Sequence, residues 1–300
     1  MIAGHCQALS KTGVFMSATG VFSRLVRNAA TAMRHPSMFA EYAAYQWSRA
    51  VHGGSAVRSF PRGVRISGFT GFSEYHTCAA AISHSEELFL DTYPFPPGDM
   101  LDIGANLGIF SAGLCKRFPS RRVFAFEPNG STYAALVRNL ALSNCRMVTP
   151  HHLAVADYDG EICFAADDAS RATSRIAAEP VAGVTTIACC TVDSFIEKNG
   201  IQEVALMKVD VEGFEAKVFA GARHSLVAGR IKVIYFEICP AMAVSAGFNP
   251  EDASRALVQA GYDLFDIGCD GALRPVKSSA AAGVVYGNWV AVTRRSPSTG

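Results

Sequence analysis

The sequence lacks the features that are typical of a protein that binds nucleic acid or spans a membrane. Its 300 residues include 27 basic and 26 acidic side chains, which leaves a formal net charge of +1. It contains no long tract of lysine and arginine, so no strong field favours nucleic acid. It also contains no uninterrupted apolar run of the ~18 residues that cross a bilayer. We therefore predict no nucleic-acid partner and no transmembrane segment.

The cysteines also lack the spacing that is typical of a disulfide framework or of a metal site. The nine cysteines are odd in number and form no C-x-x-C pair. This pattern argues against a disulfide framework and against a zinc site. It is typical of reduced thiols that act as small core residues. We therefore expect a cytoplasmic protein in which cysteine holds no metal.

The first forty residues differ from the rest of the chain. They contain four basic residues, and no acidic residue occurs before Glu41. Such a segment is typical of an organelle transit peptide or of a helix on a membrane surface. It is equally typical of a helical extension that packs on the domain or on a partner. We predict a helical N-terminal extension over residues 1–60, with peripheral membrane contact through residues 1–40 as the alternative.

Composition divides the remainder into three parts. Residues 61–97 begin in a turn-rich boundary and lead into the core, and we interpret them as a cover on the substrate side, with residues 73–76 reaching the substrate. Residues 98–294 form the predicted catalytic domain. Residues 295–300 are a tail.

From residue 98 onward, strand-like and helix-like patterns alternate. The apolar runs at 122–127, 204–210 and 231–237 each end in an acidic residue. Alternating units of this kind predict an α/β fold with an open, mainly parallel sheet, whose ligand site lies beyond the carboxyl ends of the strands. The runs at 262–265 and 289–293 predict closing strands that are antiparallel.

The stretch at 102–108 is the strongest candidate for a ligand site. It joins an apolar strand to a helix through Gly104 and Gly108. Glycine lets the backbone approach a ligand, and a helix N-terminus favours an anionic group. A dinucleotide fingerprint would place glycine at 104, 106 and 109, whereas this chain has Asn106 and Ile109. A dinucleotide is therefore disfavoured, and a phosphate-binding P-loop is excluded because no Gly-Lys-Ser/Thr follows.

An acidic residue follows the next strand. The carboxylate of Glu127 can accept both hydrogen bonds of a ribose diol, although a helix-entry acid would also occupy this position. Together with the turn, it predicts a nucleoside ligand with a smaller polar tail, which suits S-adenosylmethionine. Asp157, after the third strand, is predicted either to accept a hydrogen bond from the adenine amino group or to form a simple turn.

Three blocks in this order and spacing resemble the FkbM-type S-adenosylmethionine-dependent methyltransferases. They are Asp-Ile-Gly-Ala-Asn-Leu-Gly at 102–108, Phe-Glu-Pro-Asn at 126–129 and Lys-Val-Asp-Val-Glu-Gly-Phe-Glu at 208–215. The resemblance implies a Rossmann-like methyltransferase fold and transfer of a methyl group, usually to a hydroxyl oxygen of a sugar or secondary metabolite. It also implies a set of cofactor-binding residues: Asp102, Gly104, Asn106, Gly108 and Glu127.

A hydroxyl acceptor must lose its proton during methyl transfer, and a carboxylate can accept it. Asp210 and Glu212 follow the fourth strand and Glu237 ends the fifth, so these three are the catalytic candidates. Asp210 has two alternatives. It could cap a helix over 212–220, or it could bind Mg²⁺ with the other two acids.

Weaker candidates surround these acids. Lys208 either pairs with an acid or contacts the substrate, and His76 and His224 are the histidines nearest the predicted pocket. We predict an S-adenosylmethionine-dependent O-methyltransferase that acts on a small hydroxylated molecule. The alternative is a cofactor-binding module without catalysis that acts through its N-terminal segment on a partner or a membrane surface.

Overall fold

The computed structural model describes residues 36–165, 175–176, 184–276 and 286–294. The predictions for residues 1–35 and for the tail at 295–300 therefore lie outside the described part of the chain.

The described chain alternates between strands and helices. The strands are β1 (Val57–Ser59), β2 (Arg65–Ser67), β3 (Asp99–Ile103), β4 (Val123–Phe126), β5 (Val148–His151), β6 (Ala154–Val155), β7 (Gly160–Ala165), β8 (Arg175–Ile176), β9 (Val184–Cys190), β10 (Val204–Val209), β11 (Val233–Ile238), β12 (Tyr262–Ile267), β13 (Leu273–Pro275) and β14 (Gly287–Thr293). The helices are α1 (Pro36–Val51), α2 (Phe72–Thr77), α3 (His84–Thr92), α4 (Ile109–Arg117), α5 (Gly130–Leu142), α6 (Val192–Lys198), α7 (Glu215–Ala220), α8 (Arg223–Val227), α9 (Pro240–Ser245) and α10 (Asp252–Gln259).

Eight strands form the central sheet, in the order β13-β12-β14-β11-β10-β3-β4-β5. The five strands from β11 to β5 are parallel to one another. Strand β14 pairs antiparallel with β11, β12 pairs antiparallel with β14, and β13 pairs antiparallel with β12. The predicted α/β fold, with a mainly parallel sheet closed by antiparallel strands, is confirmed.

The strand order changes direction between β3 and β10. The chain runs outward from β3 to β4 and β5, and later enters the other half of the sheet at β10. In open α/β sheets, a crevice forms beyond the carboxyl ends of the two strands at such a switch point, and ligands bind there. The turn at 102–108 follows β3 at this crevice.

The central strands are apolar because both faces of the sheet are covered. All six residues of β10 are buried, as expected for a parallel strand between two layers. In β3, Met100 packs into one apolar layer, whereas Leu101 and Ile103 pack into the layer on the other face. The sheet is thus packed on both faces at the edge where the site forms.

The described part of the predicted N-terminal extension contains helix α1 and strand β1. The strand departs from the helical prediction and pairs antiparallel with β2, across the predicted boundary at residue 60. Helix α1 contacts the segment that follows this boundary. It packs on α2 through aromatic rings, with Tyr45 and Tyr75 at a centroid distance of 5.1 Å and Tyr42 and Phe72 also at 5.1 Å. Within the described residues, none of the helices combines the length and apolar character that a membrane crossing requires.

Candidate active site

The turn after β3 is shaped by a close approach of the backbone of the neighbouring segment. Gly104 has φ +79°, and a Cβ atom at this position would lie 1.9 Å from the carbonyl oxygen of Asp210. Gly108 has φ +86°, and a Cβ atom there would lie 2.5 Å from Leu136 Cδ1. Asn106 also has a positive φ of 49°. The positive φ values favour glycine at both 104 and 108. At 104 glycine is also required for space, because the close atom belongs to the backbone.

Glu127 links this turn to the end of β4. Its Oε2 accepts a hydrogen bond from the backbone N–H of Asn106 at 2.9 Å, and its Oε1 accepts one from the N–H of Asn129 at 2.8 Å. Burial raises the pKa of Glu127 to about 7, although the two N–H donors act in the opposite direction. Each carboxylate oxygen retains a second lone pair with which it can accept a hydrogen bond from a ligand.

A buried charge cluster lies behind the turn. Asp102 Oδ2 accepts a hydrogen bond from the hydroxyl of Ser111 at 2.5 Å. The ammonium of Lys208 lies 3.4 Å from Asp102 Oδ1 and 3.2 Å from Asp210 Oδ2, and it donates to the carbonyl oxygen of Gly104 at 2.9 Å. Burial favours neutral lysine, but the two carboxylates outweigh it and raise the pKa of Lys208. The predicted pairing of Lys208 with acids is therefore observed.

Three buried polar atoms on the described segments around Glu127 lack a hydrogen-bond partner. Asn129 Nδ2, Thr132 Oγ1 and His151 Nε2 have no hydrogen-bond partner among the described residues. They lie in the segments that follow or end β4 and β5, where the Glu127 N–H donates to the carbonyl oxygen of His151 at 3.1 Å. A nucleoside offers several donors and acceptors, so these residues match its chemistry.

A polar cavity of about 640 Å³ opens beside the turn. Asn106 lines it from the turn, Asp210 from the end of β10, and Tyr235 and Glu237 from β11. Residues from 70–86 form a further wall. The turn and two of the three predicted catalytic acids therefore share one cavity.

The third predicted acid interacts electrostatically with the other two. Burial raises the pKa of Glu212 to about 7, and the negative charges of Asp210 and Glu237 add to this effect. Burial also raises the pKa of Glu237, with Asp210 as the next cause. Glu237 accepts a hydrogen bond from the hydroxyl of Tyr286 at 2.8 Å, and this bond lowers its pKa in part.

The alternative in which Asp210 caps a helix over 212–220 is wrong. Helix α7 begins at Glu215, and its N-cap residue makes no side-chain hydrogen bond. Glu215 itself accepts from the N–H groups of Val211 and Gly213, at 3.3 Å and 3.2 Å. Glu212 instead has φ +53°. Gly213 has φ +97°, so residues 212 and 213 both have positive φ values and the helix begins only after them. Glycine is required at 213 because a Cβ there would lie 2.6 Å from backbone atoms of Met242.

The alternative in which Asp210 binds Mg²⁺ with Glu212 and Glu237 is not supported by a cluster of metal ligands in the described part of the chain. No group of three or more histidine, cysteine, aspartate or glutamate side chains there is arranged to hold a metal ion.

Three other candidates contact neighbours outside this cavity. Asp157 is exposed and pairs with Lys217 at 2.7 Å. His224 is 94% exposed and lies 3.2 Å from a carboxylate oxygen of Asp193. His76 pairs with Glu41 of α1. The sequence pattern does not distinguish these side chains from ones that face a ligand.

The segment at 73–76 divides between the cavity and helix α1. Ser73 and Glu74 line the cavity. Tyr75 and His76 contact α1 instead, through ring packing and through the ion pair of His76 with Glu41. Helix α2 therefore stands between α1 and the cavity.

Sequence reasoning missed four residues that line the cavity. Glu86 is buried and accepts hydrogen bonds from Asn288 Nδ2 and from the N–H of Ser83, each at 2.6 Å. Tyr235 has its pKa raised by burial and by a hydrogen bond with Glu86. Strand periodicity could have identified Tyr235, because residues two apart on a strand share a face and it lies two residues before Glu237. The missed residues are Glu86, Tyr235, Tyr286 and Asn288.

Comparison with known proteins gives a family match over the same elements. The model of the methyltransferase FkbM domain matches residues 102–264, more than half of the chain. The hexuronic acid methyltransferase AglP of Haloferax volcanii is 27% identical over 160 residues, which cover 53% of this chain and 61% of that protein. The chain thus spans less than two thirds of that relative.

Two further proteins are similar over comparable lengths. Methyltransferase 1 of Beauveria bassiana is 26% identical over 178 residues, covering 50% of this chain and 72% of that protein. Among solved structures, a SAM-dependent methyltransferase from Agrobacterium tumefaciens aligns with a TM-score of 0.43 and 12% identity, covering 79% of this chain and 69% of that one.

Proposed function

Since the chain belongs to the FkbM methyltransferase family, we propose that it transfers a methyl group from S-adenosylmethionine to a hydroxyl oxygen of a small molecule. The family match confirms the methyltransferase class and, with it, S-adenosylmethionine as the predicted cofactor. The hydroxyl acceptor is the part that goes beyond the family match. We include sugars among the acceptors, since one relative is named for a hexuronic acid.

We assign the cofactor to the turn and to Glu127. The turn would hold the amino-acid end of S-adenosylmethionine, and the carboxylate of Glu127 would accept hydrogen bonds from its ribose hydroxyls. The buried polar atoms of Asn129 and His151 support an adenosine group on the same side. When bound, the cofactor supplies an electrophilic methyl group on a sulfonium, and the protein must then align an acceptor oxygen with it.

One observation supports the proposal that the methyl acceptor is a hydroxyl group. The cavity that begins at Asn106 of the turn is also lined by Asp210 and Glu237. An acceptor hydroxyl in this cavity would lie near carboxylates that can take its proton as charge moves onto the oxygen. Glu212, with its pKa raised to about 7, suits proton acceptance near neutral pH. We propose that Asp210 and Glu237 take this role directly, and that Glu212, which does not line the cavity, contributes through the interaction of its charge with theirs.

A labelling experiment tests the proposal. The protein is incubated with S-adenosylmethionine labelled at the methyl group and with an extract of hydroxylated metabolites, and labelled products are identified by mass spectrometry. We expect a methyl ether as the product. We also expect Asp210→Asn or Glu237→Gln to lower kcat by about 10²- to 10⁴-fold, the usual contribution of a general base. Glu161→Gln, in an exposed strand position, serves as the matched control.

Calorimetry distinguishes the alternative function. If S-adenosylmethionine binds but no product is ever labelled, the result supports a cofactor-binding module without catalysis. If S-adenosylmethionine gives no binding heat while a nicotinamide dinucleotide does, the cofactor assignment is wrong.

A further inference from the structure

The charged groups around the acceptor cavity are unbalanced. Glu74, Glu86, Asp210 and Glu237 line it, and Lys208 is the only basic residue among the described residues of its lining. The site itself is defined by the cavity and the adjoining cofactor turn. The charges determine which acceptors it can accommodate.

The charge of Lys208 is already engaged behind the cavity. Its ammonium lies between Asp102 and Asp210, at 3.4 Å and 3.2 Å, and donates to the carbonyl oxygen of Gly104 at 2.9 Å. One ammonium thus faces two carboxylates. Recruiting it to a negatively charged acceptor would leave Asp102, which is 0% exposed, without its counter-charge.

We call the lining residues Glu74, Glu86, Glu237, Tyr286 and Asn288 the wall of the cavity. Neutral groups hold two of its carboxylates. Glu86 accepts hydrogen bonds from the amide of Asn288 and the N–H of Ser83. Glu237 accepts one from the hydroxyl of Tyr286. Such bonds fix the direction of a carboxylate and leave its negative charge in place. The wall therefore directs oxygens that accept hydrogen bonds, and a negative electrostatic potential, toward the cavity.

Much of this wall lies outside the part of the chain that matches the family. Glu74 and Glu86 precede residue 102, and Tyr286 and Asn288 follow residue 264. The family blocks therefore do not dictate these residues. Acceptor selection is a role that such a wall can fill independently of the cofactor turn.

We infer that the acceptor is a hydroxyl compound without an acidic group, either an uncharged polyol or an amino sugar. This inference rests on the proposed function. Carboxylate oxygens and tyrosine hydroxyls can bind sugar hydroxyls, and the negative potential attracts an ammonium group. A uronic acid or a sugar phosphate would instead meet like charges at the wall, so the acceptor differs in charge from the compound for which the Haloferax relative is named.

The first test uses labelling of charge-sorted acceptors. The metabolite extract is separated by ion exchange into cationic, neutral and anionic pools, and each pool is incubated with the protein and methyl-labelled S-adenosylmethionine. We expect label in the cationic or neutral pool, at least tenfold above the anionic pool. Label confined to anionic products overturns the inference and leaves the proposed methyl transfer intact. No label in any pool contradicts the proposed function instead.

The second test needs no acceptor. S-adenosylmethionine carries one more positive charge than S-adenosylhomocysteine, at the sulfur that would face the cavity. We expect Glu86→Gln to lower the affinity ratio of the two compounds by on the order of threefold, because a negative charge near the sulfonium is lost. Glu161→Gln should leave the ratio unchanged. A ratio that is insensitive to Glu86→Gln and Glu74→Gln would mean that the wall exerts no such field, and the inference would fail.

Discussion

Lys208 Nζ lies 3.4 Å from Oδ1 of Asp102, and the two residues face each other in register on the neighbouring strands β10 and β3. Both side chains are almost completely enclosed, at 9% and 0% exposure. The pair lies directly under the turn at 102–108, because Lys208 also donates to the carbonyl oxygen of Gly104. The ion pair thus ties the two strands together at the switch point of the sheet.

Replacing Lys208 by methionine should destabilise the fold strongly. The variant keeps the volume of the side chain but leaves the carboxylate of Asp102 buried without a counter-charge. Removal of one partner of a buried pair costs about 3–5 kcal/mol. We expect a loss of this size in the free energy of unfolding, measured by urea denaturation.

The double variant Lys208→Met/Asp102→Asn provides the control. It removes both charges, and the asparagine can still accept a hydrogen bond from Ser111. It should recover a large part of the loss, because no charge then remains buried at this position. Equal stability of the single and double variants would show that Lys208 acts through packing alone.

The local parts of this site could be predicted from the sequence. Gly104, Gly108 and Glu127 lie within one strand-turn-helix unit and the strand that follows it, and residue spacing specifies such a unit. The partners across the cavity could not be predicted. Tyr286 and Glu237 are 49 residues apart, and Asn288 and Glu86 are 202 residues apart, so no local pattern encodes their contacts.

The predicted start of the helix after β10 failed for a similar reason. The acids and apolar residues at 212–220 match a helical period, yet Glu212 has φ +53° and the helix begins three residues later. Gly213 also has a positive φ, of +97°, and its backbone packs so closely against that of Met242 that a Cβ would lie 2.6 Å away. Only the folded chain brings that segment into contact.

Gly104→Ala should separate the effect of space from that of conformation. The new Cβ would lie 1.9 Å from the Asp210 carbonyl oxygen, so the end of β10 must move. We expect a loss of about 3 kcal/mol or more in stability and loss of S-adenosylmethionine binding. Gly53→Ala is the matched control, since Gly53 has φ +64° and no atom within 4 Å of the added Cβ. It should cost only about 1 kcal/mol. Equal losses in both variants, by thermal unfolding, would contradict the steric account.

Glu127→Gln tests the proposed contact of this carboxylate with the ribose diol of S-adenosylmethionine. Glutamine keeps one oxygen, but its NH₂ group cannot accept from the second of the two N–H groups that Glu127 now satisfies. We expect the affinity for S-adenosylmethionine to fall by about tenfold or more, as hydrogen bonds to a charged group contribute about 1.5–3 kcal/mol. Calorimetry at fixed pH measures this, with an unfolding curve to verify that the variant is folded. Unchanged affinity would reject the assignment, and Glu161→Gln is the control.

Glu212→Gln should change how stability depends on pH. The pKa of Glu212 is raised from 4.5 to about 7, with burial as the main cause. Between these two values the folded protein binds more protons than the unfolded chain, so this carboxyl stabilises the fold below pH 4.5 and the contribution is lost as pH rises toward 7. The variant lacks this titration, whereas Glu127, whose pKa is also raised to about 7, contributes to both proteins alike. Glu215 interacts electrostatically with Glu212, so the substitution also changes the environment of Glu215.

The difference between wild type and Glu212→Gln therefore reports the titration of Glu212 together with its interactions with neighbouring acids. Urea denaturation at pH 5 and pH 8 measures the free energy of unfolding of both proteins. Between these pH values the wild type should lose about 1 kcal/mol more than the variant, a figure that allows for the partial solvent exposure of Glu212. Identical losses would mean that Glu212 titrates at its ordinary value.

A carboxyl that still holds its proton at pH 6 and releases it near 7 is a weak base in acid and an effective one at neutral pH. Methyl transfer should accordingly rise with pH through about 7 in the wild type, and this rise should disappear in the variant if Glu212 accepts the proton.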